Sequence, residues 1–202
     1  MIAIGRWALL SVVCCRPLVA QPVAAADRFD HSFRKYAKRY FGPDVDWRLF
    51  KAQAMAESGL DPGAMSKVGA RGLMQLMPST FREIQSKNPD MTAVDDAESN
   101  IAAGIAYDRA LWRSWERDTV QADRHAFTFA SYNAGRGTIL KAQATALGAR
   151  LDPRQWPNIE VVAPKVPRWR YVETIGYVKK IEGNVALLDD KGRLEVGRRK
   201  PN

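Results

Sequence analysis

Apolar side chains recur at helical spacing along most of the chain, and almost no stretch shows the alternation that is typical of a β-strand. The clearest example begins after Asp46, an expected N-cap, where Trp47, Phe50 and Ala54 share one helix face. We therefore predict a mainly α fold. A length of 202 residues suits a single globular helical domain with one hydrophobic core.

The same spacing, with the Pro and Gly residues that end helices, predicts further helices at 29–41, 78–87, from Asp95 or Asp96 onward, 121–132, 138–147 and 170–182. The first of these is aromatic on one side and basic on the other. Packing by its aromatic side is expected, with binding to a membrane surface as the alternative. In the long helix after Asp96, Gly104 indicates a close crossing with another helix.

Glu57 lies on the same face as Phe50 and Ala54, in the last turn before Gly59 ends the helix. Burial disfavours an ionised carboxylate, and so does the negative end of the helix macrodipole. Both effects raise the pKa of a carboxyl group, as a general acid that works near neutral pH requires. The alternative is a helix-end residue whose side chain simply turns outward to solvent.

The segment that follows Glu57 combines glycines with neutral hydrogen-bonding side chains. Ser66, Gly69, Gly72 and Gln75 come within twenty residues of Glu57. Glycine allows the backbone to approach a ligand closely, and Ser and Gln bind polar groups without ionising an acid. The alternative is a glycine-rich turn between two core helices. A later loop with four prolines between residues 153 and 167 would either roof a ligand groove or cover hydrophobic core.

The net charge of +9 and the pI of about 9.8 suggest an acidic partner. Nucleic acid, anionic lipid and the carboxylate-bearing peptides of the cell wall all fit that charge. No recognition-helix motif supports nucleic acid. The two histidines, His31 and His125, have no metal-ligand spacing, and no nucleophile elbow is present, so we expect no metal, no cofactor and no acyl-transfer chemistry.

The first 26 residues have the pattern of a cleaved secretory signal peptide. Arg6 precedes a short apolar run, and Ala24-Ala25-Ala26 supplies the small residues of a cleavage site. Both cysteines, Cys14 and Cys15, lie in this segment, and the valines before them disfavour the lipoprotein alternative. Loss of residues 1–26 removes two arginines and lowers the net charge from +9 to +7. We expect a catalytic domain over 27–185, a polar and mobile tail over 186–202, and export to the periplasm or envelope.

Three motifs carry a family resemblance. Residues 57–80, ESGLDPGAMSKVGARGLMQLMPST, resemble the signature of the lytic transglycosylases, the murein-cleaving enzymes with a lysozyme-like fold. Residues 130–135, ASYNAG, resemble the second motif of that family, and residues 173–178, ETIGYV, resemble the third. Ser131 departs from the alanine that the family often has. The resemblance implies a lysozyme-like helical domain with a substrate groove, and peptidoglycan glycan strands as the partner of a monomer.

The resemblance also implies the chemistry. Glu57 would act as the single acid/base: it would protonate the oxygen that links N-acetylmuramic acid to N-acetylglucosamine, and would then remove the proton from the muramoyl C6 hydroxyl. The product would be a 1,6-anhydro sugar. Ser66, Gln75 and Tyr132 match groove residues that hold the acetamido group or orient the acid, Met74 and Asn133 match further motif positions, and Glu173 matches a supporting groove residue. Two alternatives stay open, a goose-type lysozyme-like hydrolase and a non-catalytic wall-binding subunit of an envelope-spanning machine.

Overall fold

A computed structural model describes residues 27–194, so the predicted signal peptide and the last eight residues lie outside the described part of the chain. The described residues are mainly helical, as predicted. They divide into two compact units, and the divisions fall inside two of the helices. We call them the outer unit (27–107 and 179–194) and the middle unit (Asp108–Val178).

The outer unit contains three complete helices, α1 (Asp30–Phe41), α2 (Arg48–Ser58) and α3 (Pro78–Gln85), the first part of α4 (Ala97–Ser114) and the last part of α8 (Tyr171–Ala186). Helix α1 buries Phe33, Tyr36 and Ala37, which confirms that it packs by its aromatic side. On its basic face, Lys35 pairs with Glu98 and Arg39 with Asp90.

Helix α2 ends where the sequence predicts, but its N-cap position is Trp47, one residue after the expected Asp46. One carboxylate oxygen of Asp46 accepts the backbone N–H of Arg48 at 3.0 Å, so this side chain satisfies one of the free donors at the helix start. At the other end Gly59 has a φ of 66°, the left-handed conformation that favours glycine. Phe50 and Ala54 are buried, so the face that carries Glu57 is the inward one.

The loop between α2 and α3 is held by short antiparallel pairings instead of a full sheet. Met65 pairs with Arg71, and Arg71 pairs with Leu76. The backbone N–H of Gly72 donates to the carbonyl of Ala64 at 2.9 Å, which folds the loop back on itself. Gly69 and Gly72 have φ values of 89° and 73°, so both turns use the left-handed backbone that the predicted glycines allow.

The carboxamide of Asn100, on α4, fixes this loop to the helix. Its oxygen accepts the N–H of Met74 at 2.8 Å, and its nitrogen donates to the carbonyls of Arg71 and Val94 at 3.0 and 2.9 Å. Asn100 is 0% exposed. A buried amide with three hydrogen bonds to backbone groups defines the position of the loop closely, because any displacement leaves buried polar atoms unpaired.

A second buried polar group, Lys51 on α2, fixes the two ends of the described chain. Its side chain is 0% exposed, and its ammonium lies 3.1 Å from Asp27, 2.6 Å from Asp30 and 2.7 Å from the carbonyl of Gly192. Burial raises the pKa of Asp30, although the hydrogen bond and charge of Lys51 act in the opposite direction. Lys51 therefore compensates two carboxylates that have lost part of their hydration.

The tail predicted for 186–202 is described only as far as Leu194. Residues 187–194 form a turn in which Leu188 pairs with Leu194, and the side chain of Asp189 accepts the N–H groups of Lys191 and Arg193. Together with the contact between Gly192 and Lys51, these bonds attach this part of the tail to the outer unit.

The middle unit contains the last part of α4, α5 (Arg124–Ala134), α6 (Arg136–Gly148), α7 (Trp156–Val162) and the first part of α8, with short 3-10 turns at Gln121–Asp123 and Ala163–Lys165. Helix α5 is buried on nearly all sides and ends at Gly135 with a φ of 80°. The proline-rich stretch contains the short helix α7. Its two tryptophans, Trp156 and Trp169, are buried, which favours the core-covering interpretation over the groove roof.

One close approach differs from its prediction. A Cβ atom on Gly104 would lie 2.7 Å from the Cβ and Cγ of Met74, so the neighbour that requires glycine is the loop after α2. The expected crossing with another helix is not the reason for this glycine. The periodicity of α4 shows that Gly104 faces inward, but it does not show which segment meets it.

Lys51→Met should lower the free energy of unfolding by about 3 kcal/mol, because the substitution leaves two partly buried carboxylates without their ammonium. Urea denaturation monitored by circular dichroism measures the change. Lys35→Met is the matched control, since the pair of Lys35 with Glu98 is about half exposed and should matter much less. Similar losses for the two variants would contradict the assigned role of Lys51.

Gly72→Ala and Gly69→Ala separate backbone strain from the contact with Asn100. Both residues have positive φ, so each substitution should cost about 1 kcal/mol of stability. An added Cβ at Gly72 would lie 2.5 Å from the Asn100 carboxamide, whereas one at Gly69 meets nothing within 4 Å. Displacement of the Asn100 hydrogen bonds should cost Gly72→Ala about a further 2 kcal/mol. Equal unfolding free energies for the two variants would show that the carboxamide does not hold the loop.

Candidate functional site

The predicted site residues fall into two groups, one in each unit. Glu57, Ser66, Met74 and Gln75 belong to the outer unit. Tyr132, Asn133 and Glu173 belong to the middle unit. Each group is built by its own local structure.

Glu57 lies in the last turn of α2 and is half-buried. The next residue, Ser58, donates its hydroxyl to the carbonyl of Leu73 at 2.9 Å and also lies 3.2 Å from the carbonyl of Ala54. The Glu-Ser pair therefore combines a carboxyl group with a side chain that ties the helix end to the glycine-rich loop. The position of Glu57 relative to that loop is fixed by a hydrogen bond one residue away.

Helix α8 supplies partners for the carbonyl groups at the end of α2. Lys180 donates its ammonium to the carbonyl of Ala56 at 2.9 Å, and Asn184 donates to the carbonyl of Ala52 at 3.0 Å. The Lys180 ammonium offsets the negative charge at the end of the α2 macrodipole. That negative charge is one of the two reasons why the sequence predicts a raised pKa for Glu57. The raised pKa of Glu57 stays a prediction.

Ser66 and Gln75 lie at the two ends of the folded loop, and both are half-buried. The hydroxyl oxygen of Ser66 accepts the N–H of Ala70 at 2.9 Å, so the Ser66 proton is left to donate elsewhere. Gln75 has a φ of 45°, an unusual value for a residue other than glycine. Its side-chain nitrogen donates to the carbonyls of Gly72 and Ala64 at 2.9 and 3.2 Å, and these bonds hold the strained backbone in place.

Met74 was expected among the substrate-binding residues, and the structure places it in the core. Its side chain is 0% exposed and lies against Gly104, and its N–H is bound by Asn100. In this position Met74 anchors the loop between Ser66 and Gln75. The buried side chain explains the motif position by packing, and the predicted binding role of Met74 stays a prediction.

The second motif lies in the last turns of α5, where Tyr132 is buried and Asn133 is half-buried. The carboxamide oxygen of Asn133 accepts the hydroxyl of Thr174 at 2.9 Å. Thr174 in turn accepts the indole N–H of Trp169 at 3.0 Å. Trp169, from the loop expected either to roof a groove or to cover the core, and Thr174 thus determine the orientation of Asn133.

Ser131, the residue that departs from the family pattern, has a clear structural partner. Its hydroxyl oxygen accepts the indole N–H of Trp115 at 3.0 Å, and both residues are 0% exposed. Arg136 lies 4.7 Å from the centre of the same indole ring. The serine therefore satisfies a buried donor that an alanine would leave unpaired.

Glu173, from the third motif, lies in the first turn of α8. One of its carboxylate oxygens lies 2.8 Å from the guanidinium of Arg170, one helical turn earlier. The Glu173 side chain is 22% exposed. An ion-paired carboxylate of this kind suits the supporting role that the resemblance implies.

Asn100 is the main site-building residue that sequence reasoning missed. It lies in the first turn of α4, four residues after Asp96, whose carboxylate accepts the N–H of Ser99 at 2.8 Å and caps the helix. The sequence offers one signal for Asn100: it directly precedes Ile101, which faces the core, so its side chain can also be buried. Its partners lie up to 29 residues away, so no local pattern identifies them.

Within residues 27–194, no cluster of His, Cys, Asp and Glu side chains has the arrangement of a metal site. His125 lies against aromatic rings, 4.3 Å from Trp112 and 5.9 Å from Phe129 between ring centres. None of the described helices is both long and apolar enough to span a membrane.

Two curated relatives are similar to most of this chain. A membrane-bound lytic murein transglycosylase F from Desulfosudis oleivorans is 34% identical over 162 residues, which is 79% of this chain and 33% of the relative. A protein of the same description from Shewanella woodyi is 32% identical over 150 residues, which is 73% of this chain and 30% of the relative. The chain thus spans about a third of the length of these relatives.

Solved structures show the same fold. The 70 kDa soluble lytic transglycosylase of Escherichia coli matches 80% of this chain, over 25% of its own, with 27% identity and a TM-score of 0.57. An inactive mutant of the lytic transglycosylase Slt from Pseudomonas aeruginosa matches 79%, over 23% of its own chain, with 22% identity and a TM-score of 0.63, and this likeness concerns the fold alone. The predicted lysozyme-like helical fold is confirmed.

The model of the transglycosylase SLT domain family matches residues 32–150, more than half of the chain. This range includes Glu57, the folded loop and the second motif. The matched residues, the similar relatives and the shared fold agree, and the chain belongs to the transglycosylase SLT domain family.

Proposed function

We propose that this protein is a lytic transglycosylase that cleaves peptidoglycan between N-acetylmuramic acid and N-acetylglucosamine. The observation that carries the proposal is the placement of Glu57 in a family-matched domain. It ends a helix whose inward face is apolar, and Ser58 ties that helix end to the loop that contains Ser66 and Gln75. A carboxyl group at a helix end that is tied to a loop with neutral hydrogen-bonding side chains suits general-acid catalysis on a sugar.

In the proposed reaction Glu57 first acts as an acid. Its proton passes to the glycosidic oxygen, the bond from C1 of the muramoyl residue to that oxygen breaks, and the N-acetylglucosamine chain leaves as an alcohol. Positive charge develops at C1, and the acetamido oxygen of the same sugar stabilises it, as in substrate-assisted glycosidases.

Glu57, now a carboxylate, then acts as a base. It removes the proton from the muramoyl C6 hydroxyl while that oxygen forms a bond to C1. The carboxyl group recovers the proton that it gave away, and the product ends in a 1,6-anhydro ring. The C6 oxygen belongs to the same sugar as C1, so its effective concentration exceeds that of free water.

One carboxyl group is sufficient for this sequence of steps. Nearby acidic residues of the outer unit have other positions: the carboxylate of Asp61 accepts the N–H of Gly63 in a turn, and Glu83 is exposed on α3. The Pseudomonas aeruginosa structure is described as an inactive mutant in which a glutamate is replaced by glutamine. That description concerns the other protein alone.

The remaining matched residues would bind the glycan. Ser66 has a free hydroxyl proton and Gln75 a side-chain oxygen to offer a sugar, because their other polar atoms are used by the loop. Tyr132, Asn133 and Glu173 are the proposed contacts from the middle unit. Met74 would act indirectly, through the position of the loop.

Export to the periplasm or the envelope fits this substrate, as does the positive charge. The curated relatives are described as membrane-bound murein transglycosylases. The signal peptide that would direct export lies in residues 1–26, outside the described part of the chain. After loss of residues 1–26 the net charge of +7 would attract the protein to the carboxylate-bearing peptides of murein.

Glu57→Gln tests the assigned acid. The amide keeps the shape of the side chain and removes the proton that it donates, so release of soluble fragments from purified sacculi should fall by at least about two orders of magnitude. Glu83→Gln is the matched control, with the same chemical change on the exposed face of α3. Near-normal activity of Glu57→Gln, or an equal loss in both variants with the fold intact, would reject Glu57 as the acid.

A further inference from the structure

Three side chains of the middle unit form a directed chain of hydrogen bonds that ends at Asn133. The indole N–H of Trp169 donates to the Thr174 hydroxyl oxygen at 3.0 Å, and that hydroxyl lies 2.9 Å from the carboxamide oxygen of Asn133. Trp169 and Thr174 are 7% and 2% exposed. Water therefore has little access to the first two members of this chain.

The chemistry of the three groups sets the direction of each hydrogen bond. An indole nitrogen only donates, so the Thr174 oxygen must accept from Trp169. The single Thr174 proton is then available for Asn133 at 2.9 Å or for the carbonyl of Arg170 at 3.5 Å. The shorter distance identifies Asn133 as the acceptor, since hydrogen bonds weaken steeply beyond about 3.2 Å.

This direction determines which end of the Asn133 carboxamide faces away from Thr174. The oxygen is engaged by the hydroxyl, so the nitrogen and its two N–H groups lie on the other side of the planar group. Asn133 is half-buried in the last turn of α5. It therefore presents donors, and a ligand that it binds must supply an acceptor.

We propose that Thr174 is a positioning residue which, through Asn133, selects an acceptor group on the glycan, the carbonyl oxygen of a sugar acetamido group. This inference rests on the proposed function and adds a determinant of substrate recognition to it. Loss of the Thr174 hydroxyl leaves the Asn133 carboxamide free to rotate, so its N–H groups are no longer held toward the substrate. Thr174 itself does not contact the sugar.

A double-mutant cycle tests the proposal. Thr174→Val keeps the shape of the side chain and removes the hydroxyl, and kcat/KM on soluble glycan strands should fall about five- to tenfold, the value of one oriented hydrogen bond. In an Asn133→Ala background the same substitution should change kcat/KM by less than about twofold, because the group that it orients is absent. Thr174→Ser, which retains the hydroxyl, should restore most of the activity.

Two further measurements keep the outcomes distinct. The first is the unfolding free energy of the wild type, the Thr174→Val and Asn133→Ala variants and the double variant. It shows any loss of stability caused by the unpaired Trp169 N–H, and this loss should be the same with and without Asn133. Binding of the corresponding Glu57→Gln forms to insoluble murein should follow the same pattern as kcat/KM. The inference is overturned by an equal fall in both backgrounds, or by no fall with Thr174→Val. A wild-type chain that leaves murein intact contradicts the proposed function instead, and the binding series then decides the role of Thr174.

Discussion

The buried carboxamide of Asn100 is the constraint on which the outer unit most depends. Its three hydrogen bonds join α4 to the backbone of Arg71, Met74 and Val94. This attachment brings the loop so close to α4 that two glycines are required where they meet. Gly72 has no room for a Cβ next to the carboxamide, and Gly104 has none next to Met74. The loop held in this way contains Gln75, whose own side-chain hydrogen bonds keep its strained backbone in place.

The middle unit uses the same principle with different groups. Two indole N–H groups, those of Trp115 and Trp169, each donate to a buried hydroxyl, on Ser131 and Thr174. The first bond fixes α5 from inside the core, and the second leads to Asn133 at the end of the same helix. In both units, residues of the family motifs are positioned by buried polar groups whose hydrogen bonds are satisfied, which makes their geometry costly to disturb.

Local sequence signals predicted every described α-helix except α7. Asp46 and Asp96 before helices, Gly59 and Gly135 after them and Pro78 at a helix start all act through neighbouring residues, so a short window of sequence contains the whole interaction. Glu57 could be selected for the same reason, since its apolar neighbours and the stop at Gly59 are adjacent to it.

The interactions that build the site join residues far apart in the chain. Thr174 and Asn133 are 41 positions apart, and Lys51 and Gly192 are 141 apart. No periodicity links such partners, so Asn100 and Thr174 were overlooked as site-building residues. Met74 shows that a motif position can also have a packing role, since its side chain packs against Gly104. A motif shows that a residue matters, and only its surroundings show how.

The central claim is that the sugar's own C6 hydroxyl, and no water molecule, closes the reaction at C1. Digestion of murein by the wild-type protein in water enriched with oxygen-18, followed by mass spectrometry of the released muropeptides, tests it directly. Ring closure by the C6 hydroxyl should leave the muramoyl ends unlabelled, with a mass about 18 Da below that of the hydrolysed ends, the loss of one water. Reducing ends that carry oxygen-18 as the main product would identify a hydrolase and contradict the proposed reaction.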